Sequence, residues 1–342
     1  MNRPKLQYNI DMQIVALFNC AAKTGKTTLA YHIAWMLTEL GHRTLLADFD
    51  PQARLSAMAL GEDKLEAIWS DSANTLSAAL NADEVRIPHT EPLADGLSLI
   101  VGDPCLAKCE DALAEAWPRC MRAHTSALRR TTMPSQIMRT IAQREDAEFV
   151  IVDLASNLGA LTRATLLAAD YILIPATATL LSLRALSVLG PTLLRWRADW
   201  ERARAPIMMT QPHGAFAAAG YILTGPPDEK YQAALEAAYP QYLPAPGFSG
   251  SPQICRIQHY PGLRALAARA GKPMFALQPA DGAIGAHAAS VQNCYKDFRE
   301  LAHAIISLSA AYHPEQQTTA DLCARQTTAC CSRQNHEIGP QM

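Results

Sequence analysis

Ile14-Val15-Ala16-Leu17-Phe18-Asn19-Cys20-Ala21-Ala22-Lys23-Thr24-Gly25-Lys26-Thr27-Thr28 is the stretch on which the fold turns. An unbroken apolar run ending at Phe18 is what a parallel strand buried on both faces requires. A tight loop follows, and Gly25-Lys26-Thr27-Thr28 opens a helix. Strand, loop and Gly-Lys-Thr at a helix start form the P-loop arrangement. Backbone N–H groups and the positive end of the helix dipole then face a space where phosphate oxygens can sit. In that reading residues Lys23, Thr24, Gly25, Lys26, Thr27 and Thr28 form the cradle, Lys26 reaches the β- and γ-phosphates, and the Thr27 hydroxyl holds Mg²⁺. The loop is imperfect, because Cys20 stands where the usual pattern has its first glycine.

Outward from the loop, Leu29, Ile33, Met36, Leu37 and Leu40 are spaced as one helical face, and Gly41 stands where a helix-ending left-handed residue belongs. Arg43 to Asp48 reads as a second buried strand, which completes a βαβ unit and implies a right-handed crossover in a parallel sheet. Short helices are expected over 55–60, 64–70 and 75–80, a strand over 97–101, and helices over 105–117 and 134–144. A basic stretch with Arg119, Arg122, Arg129 and Arg130 lies between those last two. Phe149 to Asp153 is a strand ending in a carboxylate. A helix over 157–170, a strand over 171–175 and a long helix over 181–204, bent at Gly190-Pro191, follow. Between 206 and 251 only a strand near Tyr221 to Leu223 is legible; then come a helix over 261–270, a strand-like 273–277 and a final helix striped by Val291, Cys294, Tyr295, Phe298, Leu301, Ala302 and Ile305. The fold class expected is α/β, a doubly wound, mostly parallel sheet with helices on both faces.

The 342 residues are 49% hydrophobic and 18% charged, which describes a globular chain able to bury a large core. A net charge of -2 gives no overall attraction to nucleic acid or membrane, so such binding needs a local patch. No apolar run approaches the ~18 residues of a membrane span, and Met1 to Asp11 lacks the apolar core of a signal peptide. Nine scattered cysteines fit a reduced, cytoplasmic protein; Cys105 and Cys109 are close in sequence but lack metal-site spacing. Residues 1–11 read as an N-terminal extension, 12–312 as one P-loop domain, and 313–342 as a disordered polar tail.

Asp48, Asp50 and Asp153 fall at the carboxyl ends of predicted strands, the edge where open parallel sheets bind ligands. Asp153 fits the Walker-B role toward Mg²⁺, Asp50 a water-positioning role in catalysis beside Lys26, and Asp48 a contact to the metal or its water. The alternative for Asp48 and Asp50 is that they cap the following turn.

The ordered set of segments resembles the ParA/MinD-like deviant-Walker P-loop ATPases. It comprises Phe18-Asn19, Gly25 to Ala30, Leu45 to Gln52, Val150 to Leu154, Asn157 to Thr162, Ala168 to Asp170, and Ile174-Pro175 leading to Leu181 to Leu186. The resemblance implies ATP and Mg²⁺ binding, a nucleotide-sandwich homodimer, non-specific DNA binding and a ParB-like centromere-binding partner that stimulates hydrolysis. It implies plasmid or chromosome partition, or the positioning of another cargo. Family members bind DNA through basic residues of their C-terminal half, which points here to Arg195, Arg197, Arg256, Arg264 and Arg269. A polar, non-periodic tail argues against a MinD-like membrane helix.

Three departures matter. The family's signature lysine is Ala21, its glycine pair is Ala22-Lys23, and Ser156 stands in a segment, Asp153-Leu154-Ala155-Ser156, that lacks the usual proline. The rival expectation is therefore a nucleotide-binding switch or scaffold with little turnover. His213, His259, His287 and His303 are isolated and read as structural.

Overall fold

The structure, a computed structural model, describes residues 12–207, 212, 214, 216–226, 228–243 and 251–311. The expectations for 1–11, 313–342 and His213 lie outside the described residues. Eight strands form one sheet: β1 Gln13–Leu17, β2 Thr44–Asp48, β3 Thr90–Ala94, β4 Leu97–Ile100, β5 Phe149–Asp153, β6 Tyr171–Thr177, β7 Ala218–Thr224 and β8 Gln253–Ile257. Their order is β3-β4-β2-β5-β1-β6-β7-β8, and every pair is parallel except β3 with β4. The helices are α1 Lys26–Glu39, α2 Arg54–Leu60, α3 Glu62–Ser70, α4 Leu76–Asn81, α5 Cys109–Cys120, α6 Thr125–Glu145, α7 Ala160–Ala168, α8 Leu180–Arg204, α9 Glu229–Tyr242, α10 Pro261–Ala270 and α11 Ala286–Ala311.

The centre of the sheet is buried on both faces because strands β1, β2, β5 and β6 are apolar at nearly every position. In and just after β1, Ile14, Ala16 and Phe18 pack into one core with α4 to α9, while Val15 and Leu17 pack into the other with α1, α10 and α11. Alternate side chains of one strand thus reach opposite helical layers. The result is the α/β doubly wound architecture expected from the sequence.

Several boundaries differ from the sequence expectation, each for a local reason. Helix α6 starts nine residues before Pro134, at Thr125, and carries that proline inside it. Its buried Ala127, Leu128, Thr131 and Met133 continue the apolar face, and tertiary burial outweighs the proline's local cost. Residues 274–276 form a 3-10 turn rather than a strand. Edge strands β3 and β8 and helix α9 were not legible, since their exposed positions blur the periodicity. Pro191 lies inside one continuous helix, and its neighbour Gly190 is where α8 meets the end of α9.

A Cβ at Gly190 would overlap the Tyr242 carbonyl group, which is backbone and cannot swing aside. Gly190→Ala is expected to destabilise the fold by roughly 1–3 kcal/mol, read from urea unfolding. An unchanged midpoint would show that the two helices do not touch there.

Candidate nucleotide site

The phosphate loop hangs between β1 and α1 and is tied to the sheet by its own side chains. Asn19, fully buried, donates from Nδ2 to the Pro175 carbonyl at 2.8 Å and accepts the Ala21 N–H at 2.9 Å. The Thr224 hydroxyl donates to the Thr24 carbonyl at 3.1 Å, so β7 steadies the loop as well. Lys23 and Gly25 both have positive φ, 61° and 83°, and the residues beside them do not. Alternation of this kind curls successive N–H groups into a concave nest suited to an anion. A Cβ built on Gly25 meets nothing within 4 Å, so the space in front of α1 is open. Lys23 adopts a glycine-like conformation with a full side chain, at a cost of about 1–2 kcal/mol. It is exposed, as are Ala22 and Gly25, whereas Thr24 and Lys26 are buried and Thr27 and Thr28 half-buried.

Lys26 is only 6% exposed, and its ammonium donates to the Asn19 carbonyl at 3.1 Å and to the Ser156 hydroxyl. Burial lowers its pKa, against the opposing pull of Asp153 and then Asp50.

The three strand-end carboxylates are brought together but have different surroundings. Asp48 and Asp153 are register partners on adjacent parallel strands. Asp48 accepts the Asp50 N–H at 3.1 Å, the Ser56 N–H at 2.9 Å and the Ser56 hydroxyl at 2.8 Å. Asp50 accepts the Gln52 N–H at 3.0 Å and an Arg54 guanidinium N–H at 3.1 Å. Both Asp153 oxygens, by contrast, are buried without a hydrogen-bond partner. Burial, then the negative charge of Asp48, push the Asp153 carboxyl up to about 7, while the adjacent Thr27 side chain and Lys26 pull it down. Burial likewise raises Asp48 to about 6, its bonds to Ser56 notwithstanding.

The sequence reading missed what holds these groups. Ser56 Oγ accepts the Gly102 N–H at 2.9 Å, and a Cβ on Gly102 would press on Asp48 at 2.8 Å. The Glu110 carboxylate caps α7, accepting the N–H groups of Ala160 and of Leu161, the latter at 2.9 Å. His32 lies nearly two turns into α1, inside the core. Its Nε2 accepts the Met274 N–H at 2.9 Å, so Nδ1 carries the proton and donates to the Thr28 carbonyl at 2.7 Å. Burial lowers its pKa to about 4, which keeps the ring neutral. Gly102, Glu110 and Met274 lie far along the chain from the groups they meet, so the local sequence did not signal them.

The arginines proposed for DNA do not form one surface. Arg195 is exposed on α8, and Arg197 beside it pairs with Glu201 at 3.0 Å. Arg264 and Arg269 are exposed on α10, across the sheet, and Arg256 donates to Gln232. Trp196 and Trp200 are core residues. His259, His287 and His303 are exposed, Cys105 is exposed and Cys109 buried. Among the described residues no helix is long and apolar enough to cross a membrane.

Among the described residues no cluster of three His, Cys, Asp or Glu side chains is arranged to hold a metal by itself. A magnesium ion in a nucleotide site takes one or two protein ligands and completes its shell with phosphate oxygens and water. The unpaired Asp153 beside Thr27 and the open cradle at Gly25 fit such a group.

Residues 12–201, more than half of the chain, match the family model AAA_31, described as an AAA domain, and the chain belongs to that family. It is a ParA/MinD-like P-loop ATPase relative whose phosphate loop is degenerate. It is 28% identical over 187 residues to the chromosome partitioning protein ParA of Myxococcus xanthus, covering 53% of this chain and 58% of that protein. The probable plasmid-partitioning protein ParA of Thermus thermophilus is 30% identical over 175 residues, covering 51% and 48%. The chain thus spans about half the length of the curated relatives it matches. The structure of a putative plasmid partition protein from Borrelia burgdorferi, bound to AMPPNP, superposes with a TM-score of 0.60 at 14% identity, covering 87% of this chain and 99% of that one.

The buried Asp153 makes stability depend on pH. Its carboxyl lies at about 7 folded against 3.8 for an ordinary aspartate, so ionisation costs the folded state more than the unfolded one. The cost is absent below pH 4, grows as pH rises, and is complete above 7. In the nucleotide-free protein, Asp153→Asn is expected to melt roughly 3 °C or more above wild type at pH 8, with the gap closing toward pH 4. A gap independent of pH would contradict the burial argument.

Proposed function

We propose that this chain binds Mg-ATP in the loop from Ala21 to Thr28 and uses its occupancy to control association with a second copy of itself and with a DNA cargo, in the manner of a cytoplasmic partition ATPase. The observation that carries the reading is Asp153, a buried carboxylate with no partner, lying beside the equally buried Lys26 and an open nest of N–H groups. Such a carboxylate is costly unless a cation reaches it. Magnesium, when bound, would supply positive charge that offsets Asp153 and the phosphates.

Residues 12–311 act as one domain in this reading. Lys26 and the N–H groups of 23–28 hold phosphates, and Thr27 and Asp153 hold the ion. Asp48 orders the segment 50–56, and Asp50, kept in place by Gln52 and Arg54, orients the attacking water. Homodimer formation draws support from α8, which exposes Leu180, Leu181 and Val188 and is tied to the loop by the Cys20 thiol on the Ala185 carbonyl. Exposed apolar side chains grouped this way suit a protein interface. DNA contact by Arg195, Arg264 and Arg269, and a ParB-like partner, rest on the relatives' names and on the exposure of those arginines.

A second reading, a nucleotide-held switch with little turnover, is favoured by Ala21. A methyl group cannot bring a cation to a neighbouring subunit's phosphates, and a positioned cation is worth ~10³-fold or more in phosphoryl transfer. Steady-state phosphate release, with and without DNA, separates the two readings.

Lys26→Ala is expected to abolish calorimetric binding of Mg-AMPPNP while the protein keeps its far-UV circular dichroism. Undiminished affinity in the folded variant would overturn the phosphate-loop assignment.

A further inference from the structure

Lys26 has its phosphate-binding atom already engaged. An ammonium has three donors and no acceptor, and one this deeply buried must find partners. Two are identified: the Asn19 carbonyl at the start of its own loop, and the Ser156 hydroxyl on the segment that leaves β5. The first is part of the cradle. The second belongs to a different element, 130 residues along the chain, three positions after Asp153.

Leu154 anchors the segment between β5 and α7 in the core, and Asn157 accepts the Gly159 N–H and the Thr162 hydroxyl, each at 3.0 Å; two contacts tie it to other elements. Lys26 grips it at Ser156, and Glu110 grips its far end through the first N–H groups of α7. Between those points Asn157 is exposed and Leu158 and Gly159 are half-buried. A cavity of about 260 Å³ lined by Pro51, Glu110, Ala155 and Asn157 borders the segment, so it has room to shift without displacing core.

We propose that Ser156 is a latch on the phosphate-binding lysine: its hydroxyl competes with nucleotide phosphate for Lys26, and phosphate binding frees the segment 154–159. This rests on the nucleotide reading of the site and adds a regulator to it. In the run Leu154-Ala155-Ser156 the serine alone carries a side-chain acceptor. Phosphate oxygens draw Lys26 Nζ into the nest, the Asn19 carbonyl stays within the loop, and Ser156 loses its donor. Binding at the loop between β1 and α1 then becomes movement at the segment that leads into α7. Ser156 is a positioning residue here, acting through Lys26.

A hydrogen bond to a charged group is worth enough that losing the competitor changes affinity by about tenfold. Ser156→Ala is therefore expected to bind Mg-AMPPNP about tenfold more tightly by calorimetry, and Ser156→Thr, which keeps the hydroxyl, to bind as wild type does. Hydrogen exchange supplies a second readout. In wild type, exchange over 154–159 should rise when Mg-AMPPNP is added; in Ser156→Ala it should be raised before any is added. Equal or weaker nucleotide affinity in Ser156→Ala, with wild-type binding intact, overturns the latch alone. Absence of nucleotide binding in wild type and variant alike overturns the site reading itself, and the latch with it.

Discussion

A carboxylate buried at a strand end beside a second carboxylate is the constraint on which this structure depends. Asp153 ends a strand that the sheet buries on both sides, and its register partner on the next strand is a second carboxylate, Asp48. Two buried acids side by side repel, and burial raises the pKa of both. The chain relieves one of them. Ser56 and the Asp50 N–H satisfy Asp48, and Gly102 leaves the room for that arrangement. Asp153 is left unrelieved, with Lys26 as its nearest compensation in charge. A protein rarely keeps such a group without a use. The space in front of α1 at Gly25 is open, and the proposed cation and phosphates would sit there.

Much of the sheet and part of the site were legible in the chain. The strands of the centre, β1, β2, β5 and β6, are apolar at nearly every position, so their runs announced themselves; the carboxylates ending β2 and β5 marked the binding edge. Less was visible where a residue's role is set by a distant partner. Nothing near Ser56 or Gly102 in sequence says that they hold Asp48. Glu110 reads as a charged residue in a first helical turn, yet its carboxylate caps a different helix, fifty residues on. His32 reads as one polar residue on a helix, and only the fold supplies Met274 to fix its tautomer. Tertiary burial also overrode local rules, as in α6, which runs through Pro134. The arginines proposed for DNA were grouped by sequence distance, and the sheet separates them.

The departures of the phosphate loop now have physical content. Lys23 holds the left-handed conformation that glycine would hold without strain, so the nest survives the substitution. Ala21 keeps the backbone of the loop, where Asn19 captures its N–H, but removes the long cation. Ser156 adds an acceptor for Lys26. The phosphate-binding backbone is thus retained, while the groups that communicate beyond it, at 21 and 156, are altered. That pattern is what the proposed reading of a nucleotide-held switch rests on.

The central claim is that Asp153, whose carboxyl pKa burial raises, is met by a cation carried by nucleotide. Proton release tests it most directly. Binding of preformed Mg-AMPPNP at pH 6.5, measured by calorimetry in buffers of different ionisation enthalpy, should release protons as Asp153 ionises against the ion. The release should fade as pH rises beyond 8, where a carboxyl at about 7 is already charged. Binding that releases no proton at pH 6.5, or takes one up, would contradict the account.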